Sequence, residues 1–165
     1  MPNHVTTIIR TEPAVAKALL NEDGEVDFNL IIPEPDGVDW YHWRISNWGT
    51  KWNAYGSGVE AAAGDLAVVR FDTAWSHPAE IVAALAARFP AARFDVEYAD
   101  EDLGQNQGAY VIDNGEYEDL SVEDGADEAN EHAARIKYGR SYAELRAKWD
   151  AEEAEYEARY AASLN

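Results

Sequence analysis

Apolar and polar positions along the chain fall into blocks of different period, and each block predicts an element. Residues 3–10 (NHVTTIIR) are short and β-branched and predict a strand. Thr11 and Pro13 read as the cap and first turn of a helix with Val15, Ala18 and Leu19 on its apolar face. Asn21 to Gly24 reads as a turn, and Phe28 to Ile32 as a second strand closed by Pro33 and Pro35. Trp40 to Ser46 predicts a short helix ended by Gly49. Trp52 to Tyr55 starts an extended segment, and Gly56 and Gly58 mark a loop. Leu66 to Thr73 (LAVVRFDT) predicts a strand. Ser76 or His77 reads as the cap of the next helix, with Pro78 in the first turn and Glu80 at the positive end of its dipole. Ile81, Leu85 and Phe89 form its buried stripe, and Pro90 stops it. Arg93 to Tyr98 alternates strictly, with Phe94, Val96 and Tyr98 facing in, as in a half-buried antiparallel strand. Gly108 to Ile112 predicts a further strand after the polar turn 100–107.

From Asp113 to Asp124 the chain is acidic and turn-rich. A helix over about 126–138 follows, with Ala129, Ala133 and Ile136 on one face, and Gly139 breaks it. Ser141 and Glu144 have capping-box spacing and start a second helix. Its stripe of Tyr142, Leu145, Trp149, Tyr156 and Tyr160 requires cover from the sheet or from another chain. The order of elements predicts an α+β fold, a ferredoxin-like antiparallel sheet with helices on one face over residues 1–112. Residues 113–165 then form an acidic helical extension packed on that domain.

Composition narrows the chemistry. Apolar residues make up 47%, with 6 Trp and 9 Tyr, enough for a packed core. No apolar run approaches the roughly 18 residues of a membrane span, and Met1 to Arg10 lacks signal-peptide regions, so a cytoplasmic protein without a membrane partner is expected. The absence of cysteine removes disulfides, thiolate nucleophiles, iron–sulfur clusters and cysteine zinc sites. Of His4, His42, His77 and His132, only His132 has a neighbour at metal-ligand spacing, Glu128, and two ligands are not a site. His77, before Pro78, reads as a cap or a surface residue. Asp100 to Gly104 resembles a calcium loop but fails at Gly104, Gln105 and Val111, so it reads as a solvated turn. Phosphate-loop and nucleophile-elbow motifs are absent. The expectation is a protein without cofactor, metal or catalytic residues.

Three stretches carry a family resemblance: Asn47-Trp48-Gly49-Thr50-Lys51-Trp52-Asn53-Ala54, then Thr73-Ala74-Trp75-Ser76 followed by Pro78, and Phe28 to Pro33 upstream of both. With Pro2-Asn3 at the start, they resemble the YubB ferredoxin-like family of phage- and plasmid-borne proteins, over roughly residues 1–112. The resemblance implies a ferredoxin-like topology, without an iron–sulfur cluster, and a mobile-element origin. It implies no activity. His4 and Val5 depart from the aromatic residue and cysteine that often follow Pro-Asn in that family, and the acidic tail lies outside the pattern. The Trp48 to Trp52 aromatics with Lys51 have the means to stack a base or a sugar. Core packing is the favoured reading, with Gly49 in a turn and Lys51 passing a ring.

Charge supplies the functional expectation. Lys+Arg total 13 against 32 Asp+Glu, a net charge of −19. Such a surface repels nucleic acid and anionic lipid and attracts basic proteins. Asp150, Glu152, Glu153, Glu155 and Glu157 fall within eight residues. On a helix that is about one charge per 2.4 Å, against about one per 1.7 Å in duplex DNA. A mobile-element accessory protein that mimics DNA toward a nucleic-acid-handling or defence protein, of anti-CRISPR or anti-restriction type, is the first reading. Arg146, Lys148 and Arg159 dilute the effect. The alternative is a non-catalytic structural or regulatory module, dimeric through Tyr142, Leu145, Trp149 and Tyr156, whose acidity serves solubility or salt adaptation. A small-substrate enzyme ranks last.

Overall fold

The computed structural model describes residues 3–61 and 65–163; Pro2 of the Pro-Asn start lies outside them. The β-branched run near the N-terminus forms β1 (His4–Thr11), the strand around which the sheet is built. It pairs antiparallel with β3 (Ala67–Ala74) on one side and β4 (Arg93–Asp100) on the other. β2 (Tyr55–Ala61) extends the sheet beyond β3, and β5 (Gly108–Asp113) and β6 (Glu116–Asp119) extend it beyond β4. The six strands run in the order β2-β3-β1-β4-β5-β6. With α1 (Pro13–Lys17) after β1 and α3 (Ala79–Arg88) after β3, the first four strands make the ferredoxin-like βαββαβ arrangement. α2 (Trp40–Trp48) is inserted ahead of β2.

Strand alternation sorts side chains between two cores. Ile9, Val69, Phe71, Phe94 and Val96 face α1 and α3, where Val15, Ile81, Val82 and Leu85 meet them. Ile8 and Ala99 face the opposite side, covered by Ala133 and Ile136 of α4 (Asp127–Tyr138). The helices of the ferredoxin-like plan thus share one face, and α4 lies on the other. Ala129 and Ala133 are fully buried, their small side chains allowing the helix close to the sheet. A polar fringe ties α4 down. Lys137 Nζ donates to His4 O (2.9 Å) and Thr6 Oγ1 (3.0 Å), and Arg70 Nη2 donates to Ile136 O (2.8 Å). Arg10 and Arg135 each approach Glu97 at 2.6 Å. Burial alone would raise the Glu97 carboxyl, but the bonds and charges of the two arginines outweigh it and hold Glu97 below the usual carboxylate range.

Several local expectations are corrected. Phe28 to Ile32 is not a strand. Asp27 Oδ1 accepts from Asn29 N (2.9 Å) and turns the chain into a 3₁₀ helix at Phe28–Leu30. Thr11 stays buried in β1, and Glu12 occupies the N-cap of α1 without a side-chain bond. Pro78, rather than Ser76 or His77, holds the N-cap position of α3. Gly56 and Gly58 lie within β2, where the register shifts between Tyr55 and Gly58. Leu66 precedes β3, which starts at Ala67. Asp100 is 4% exposed rather than solvated, and its carboxylate accepts from Asn3 Nδ2 (3.1 Å), Asp102 N (2.9 Å) and Asn106 Nδ2 (2.8 Å).

The capping box at α5 (Tyr142–Ser163) forms as the spacing predicts. Ser141 N donates to Glu144 Oε2 (3.0 Å) and Glu144 N donates to Ser141 Oγ (3.3 Å). The first turns pack on α4: Leu145 is buried, Tyr138 and Trp149 meet edge to face at 6.3 Å, and Tyr142 N donates to Glu131 (2.8 Å). From Arg146 through Ser163 every residue is exposed, so α4 covers only the start of the apolar stripe. A helix with so little tertiary cover depends on its own termini and side-chain pairs. Ser141→Ala is therefore expected to cost about 1 kcal/mol at this end. Amide hydrogen exchange at Tyr142 to Leu145 should speed up about fivefold while exchange in β1 stays unchanged.

Candidate functional site

The two tryptophan motifs meet in space. Trp48 ends α2 fully buried, and its Nε1 donates to Ile32 O (2.9 Å). Its ring packs edge to face on Phe28 (5.7 Å) and Trp43 (5.5 Å), with the Arg44 guanidinium 5.0 Å above it. Gly49 then takes φ +75°, and a Cβ there would come within 2.0 Å of Glu80 Oε2. Thr50, buried, donates to Ala74 O (2.8 Å), and the Ser76 hydroxyl donates to Gly49 O. Asn53 accepts from Phe28 N and Ala54 N (2.9 Å each) and donates to Asp27 (2.8 Å). Lys51, Trp52 and Trp75 face outward, the Lys51 ammonium lying 4.4 Å over Trp75 and 5.1 Å over Trp52. Trp75 is 42% exposed at φ +74°, a conformation that bulky side chains avoid. Its N donates to Asn3 O (2.9 Å), and Asn106 Nδ2 donates to its carbonyl (2.9 Å).

Next to this cluster lies a group that the sequence reading missed. His77 is 8% exposed, neither a cap nor a surface residue. Its ring stacks on Tyr98 at 4.4 Å and 7°. Nδ1 lies 2.9 Å from Thr7 Oγ1, and Nε2 lies 2.8 Å from Tyr110 Oη. A neutral imidazole donates through one nitrogen and accepts through the other, so two hydroxyl partners satisfy it without a charge. Burial pushes its pKa down to about 3. Burial also raises the Tyr110 phenol strongly, with smaller contributions from Tyr117, Tyr98 and Glu80. The signal for this cluster was present in the alternation of β4 and β5, which puts Tyr98 and Tyr110 on the core face. His77 lies 70 residues from Thr7 and 33 from Tyr110, separations at which periodicity says nothing.

The acidic surface has two parts. Asp150, Glu152, Glu153, Glu155 and Glu157 all lie on the exposed length of α5. Three of them have a basic neighbour on the same helix: Arg146 with Asp150 (3.9 Å), Lys148 with Glu152 (3.6 Å) and Arg159 with Glu155 (3.8 Å). The larger part is the β6 edge and the start of α4. Residues 113–131 hold Asp113, Glu116, Glu118, Asp119, Glu123, Asp124, Asp127, Glu128 and Glu131, with no Lys or Arg among them. All are exposed except Asp113, which is half-buried. No group of three or more metal-ligating side chains occurs among the described residues, and no helix among them is long and apolar enough to cross a membrane.

The family model for the ferredoxin-like domain in Api92-like protein matches residues 47–140. Among solved structures, the Api92 protein from Yersinia pseudotuberculosis aligns at 22% identity with a TM-score of 0.47, over 61% of this chain and 40% of its own. The chain thus spans less than half the length of that protein. No curated protein matches.

Proposed function

We propose, for a chain that belongs to the family of ferredoxin-like domains in Api92-like proteins, a role in binding a basic protein surface, without catalysis. The observation that carries it is the set of nine carboxylates over residues 113–131, a stretch without lysine or arginine. Three lie on the outer strand β6 and three on the first turns of α4, and among the described residues only Asp113 at the end of β5 meets a base, Arg93 (3.0 Å). Such a surface draws basic partners electrostatically. Carboxylates on an edge strand also block edge-to-edge pairing, which on its own would need fewer of them. The acids of α5, three of them beside their own bases, extend this surface rather than form it. The Trp48 to Asn53 and Trp75 motifs favour the YubB ferredoxin-like branch and a mobile-element origin. The partner class that fits both the charge and that origin is a nucleic-acid-handling or defence protein, read through its DNA-binding groove.

The test is affinity capture from host lysate at low salt, where such contacts are strongest. Two charge-reversed forms accompany the wild type: Glu116, Glu118, Glu123 and Glu128 to Lys, and Glu152, Glu153, Glu155 and Glu157 to Lys. The expected result is a basic protein that duplex DNA displaces and that the first set abolishes, the second weakening capture less. Retention that survives the first set, or that duplex DNA does not displace, refutes the mimic. A second reading rests on Tyr156 and Tyr160, stacked on each other and 68% and 58% exposed. They offer a self-association surface, and light scattering that returns a dimer in the same preparation would move the weight to a dimeric regulatory module.

A further inference from the structure

We propose that the groove between α3 and β6 is a binding site for an organic cation, an alkylammonium or guanidinium group held between tyrosine rings and a carboxylate. Register builds it. Tyr98 faces Gly108, Tyr110 faces Asp119 and Ile112 faces Tyr117 across adjacent strands, so all of these positions share one face of the sheet. Gly108 is the position that lets the rings gather, because a Cβ there would lie 2.7 Å from Tyr98 Oη. His77 backs Tyr98 as a parallel plate, and Tyr110 and Tyr117 stand 5.3 Å apart at a 36° tilt. Above this face α3 presents only Ala79 and Ala83, whose side chains are too short to fill the space. What remains is a cavity of about 330 Å³. That lies at the lower end of the roughly 300–1,000 Å³ typical of small-ligand pockets.

The chemistry of the walls selects charge. The faces of aromatic rings carry negative potential and attract cations, most strongly where water is excluded. Asp119 stands at the rim, and its carboxylate accepts from Ser121 N (2.9 Å), which holds it below the usual carboxylate range. No lysine or arginine lines the groove. The tyrosines act on one another first, Tyr117 on Tyr98 and both on Tyr110, and the further charges are those of acids: Asp124 and Asp119 on Tyr98, Glu80 on Tyr110, and Asp119 on Tyr117. Burial first, then the neighbouring phenols and these acids, raise all three phenols, so the rings stay neutral at physiological pH. An anion entering here would meet the Asp119 carboxylate and no positive charge in the walls. The site lies on the face of the sheet opposite α4, and it needs no basic protein partner to be occupied.

The experiment is an NMR titration of the whole protein, following the ring resonances of Tyr98, Tyr110 and Tyr117 at ionic strength held constant with sodium chloride. The probes are tetramethylammonium, n-butylammonium, n-butylguanidinium and the uncharged 3,3-dimethylbutan-1-ol. Saturable shifts from at least one cation, with the alcohol about tenfold weaker or silent, are expected. Asp119→Asn and Tyr117→Ala should each weaken the cation about tenfold; Tyr117 is 63% exposed on an outer strand, so its loss leaves the core intact. Ala83→Leu, an exposed helix position that touches no polar group of the site, should block it. A blocked N-acetyl-lysine or N-acetyl-arginine methylamide separates the sources: tighter binding than the matching butyl cation assigns a peptide side chain, weaker binding a free small cation. Equal saturation by the alcohol, no saturation by any cation at 100 mM, or binding untouched by Ala83→Leu each overturns the proposal.

Discussion

Replacing Trp48 with alanine is expected to lower the unfolding free energy by about 3–5 kcal/mol, measured by urea or thermal denaturation. Three losses add together. The largest fully buried side chain of the fold leaves a cavity between Phe28, Trp43 and the sheet. The carbonyl of Ile32 loses its indole donor. Arg44 loses one of the two rings beneath its guanidinium and keeps Trp40 (5.3 Å) and its bond to Glu34 (2.7 Å). A domain of this size is stable by only about 5–15 kcal/mol, so this one change removes a large part of the margin. Trp75→Ala is the comparison. That side chain is half in water, and alanine in its left-handed backbone loses ring contacts with Lys51 and Tyr41 but no core volume. Its cost should stay within about 1 kcal/mol. Equal effects from the two substitutions would mean that Trp48 is not the anchor of the α2 side of the core.

The contrast marks what the chain makes legible and what it hides. The β-branched run of β1, the apolar run of β3, the alternation of β4 and the apolar stripe of α3 are local signals of a packed sheet and helix, and those elements lie where these signals put them to within a residue or two. The Phe28 run misleads because its apolar residues are as dense as those of a strand, while the decisive event is a side-chain bond from the preceding Asp27 that turns the backbone. β6 escapes notice for the opposite reason. Glu116 to Asp119 carries one apolar residue and is exposed throughout, and only pairing with β5 makes it a strand. The α5 stripe is readable as a face in need of cover, but the identity of the cover is tertiary information. The candidate groove combines both difficulties: two of its tyrosines sit on predicted strands, one on the missed strand, and the histidine behind them resembles a helix cap because Pro78 follows it.

Acidification from pH 7 to pH 5 should cost the fold about 2 kcal/mol through His77 alone. In the unfolded chain this imidazole takes a proton near its ordinary pKa of about 6.5. In the fold, burial holds that step down to about 3. Between those values the unfolded state binds one proton more than the folded state. Stability contributed by the neutral ring is therefore complete above 6.5 and lost progressively as pH falls toward 3. Burial lowers His132 as well, but that ring is only half-buried, and Gly108 O and the charge of Glu97 oppose the shift, so its share is smaller. Glu97 and Asp27, held below the usual carboxylate range, lose their contributions only below about pH 4.5, outside this window. The relief of repulsion among the excess carboxylates also belongs to that lower range, where they protonate. Urea unfolding at half-unit steps between pH 7 and pH 5 should give the full slope for the wild type, most of it for His132→Gln, and only the small His132 share for His77→Gln. NMR titration of the wild-type imidazole supplies the direct reading, since a buried ring whose partners are the hydroxyls of Thr7 and Tyr110 has no carboxylate beside it to compensate the charge of a second proton. A His77 resonance that titrates above pH 5.5, or the full slope persisting in His77→Gln, would mean that the ring is open to water and that the tyrosine cluster it supports is looser than the packing requires.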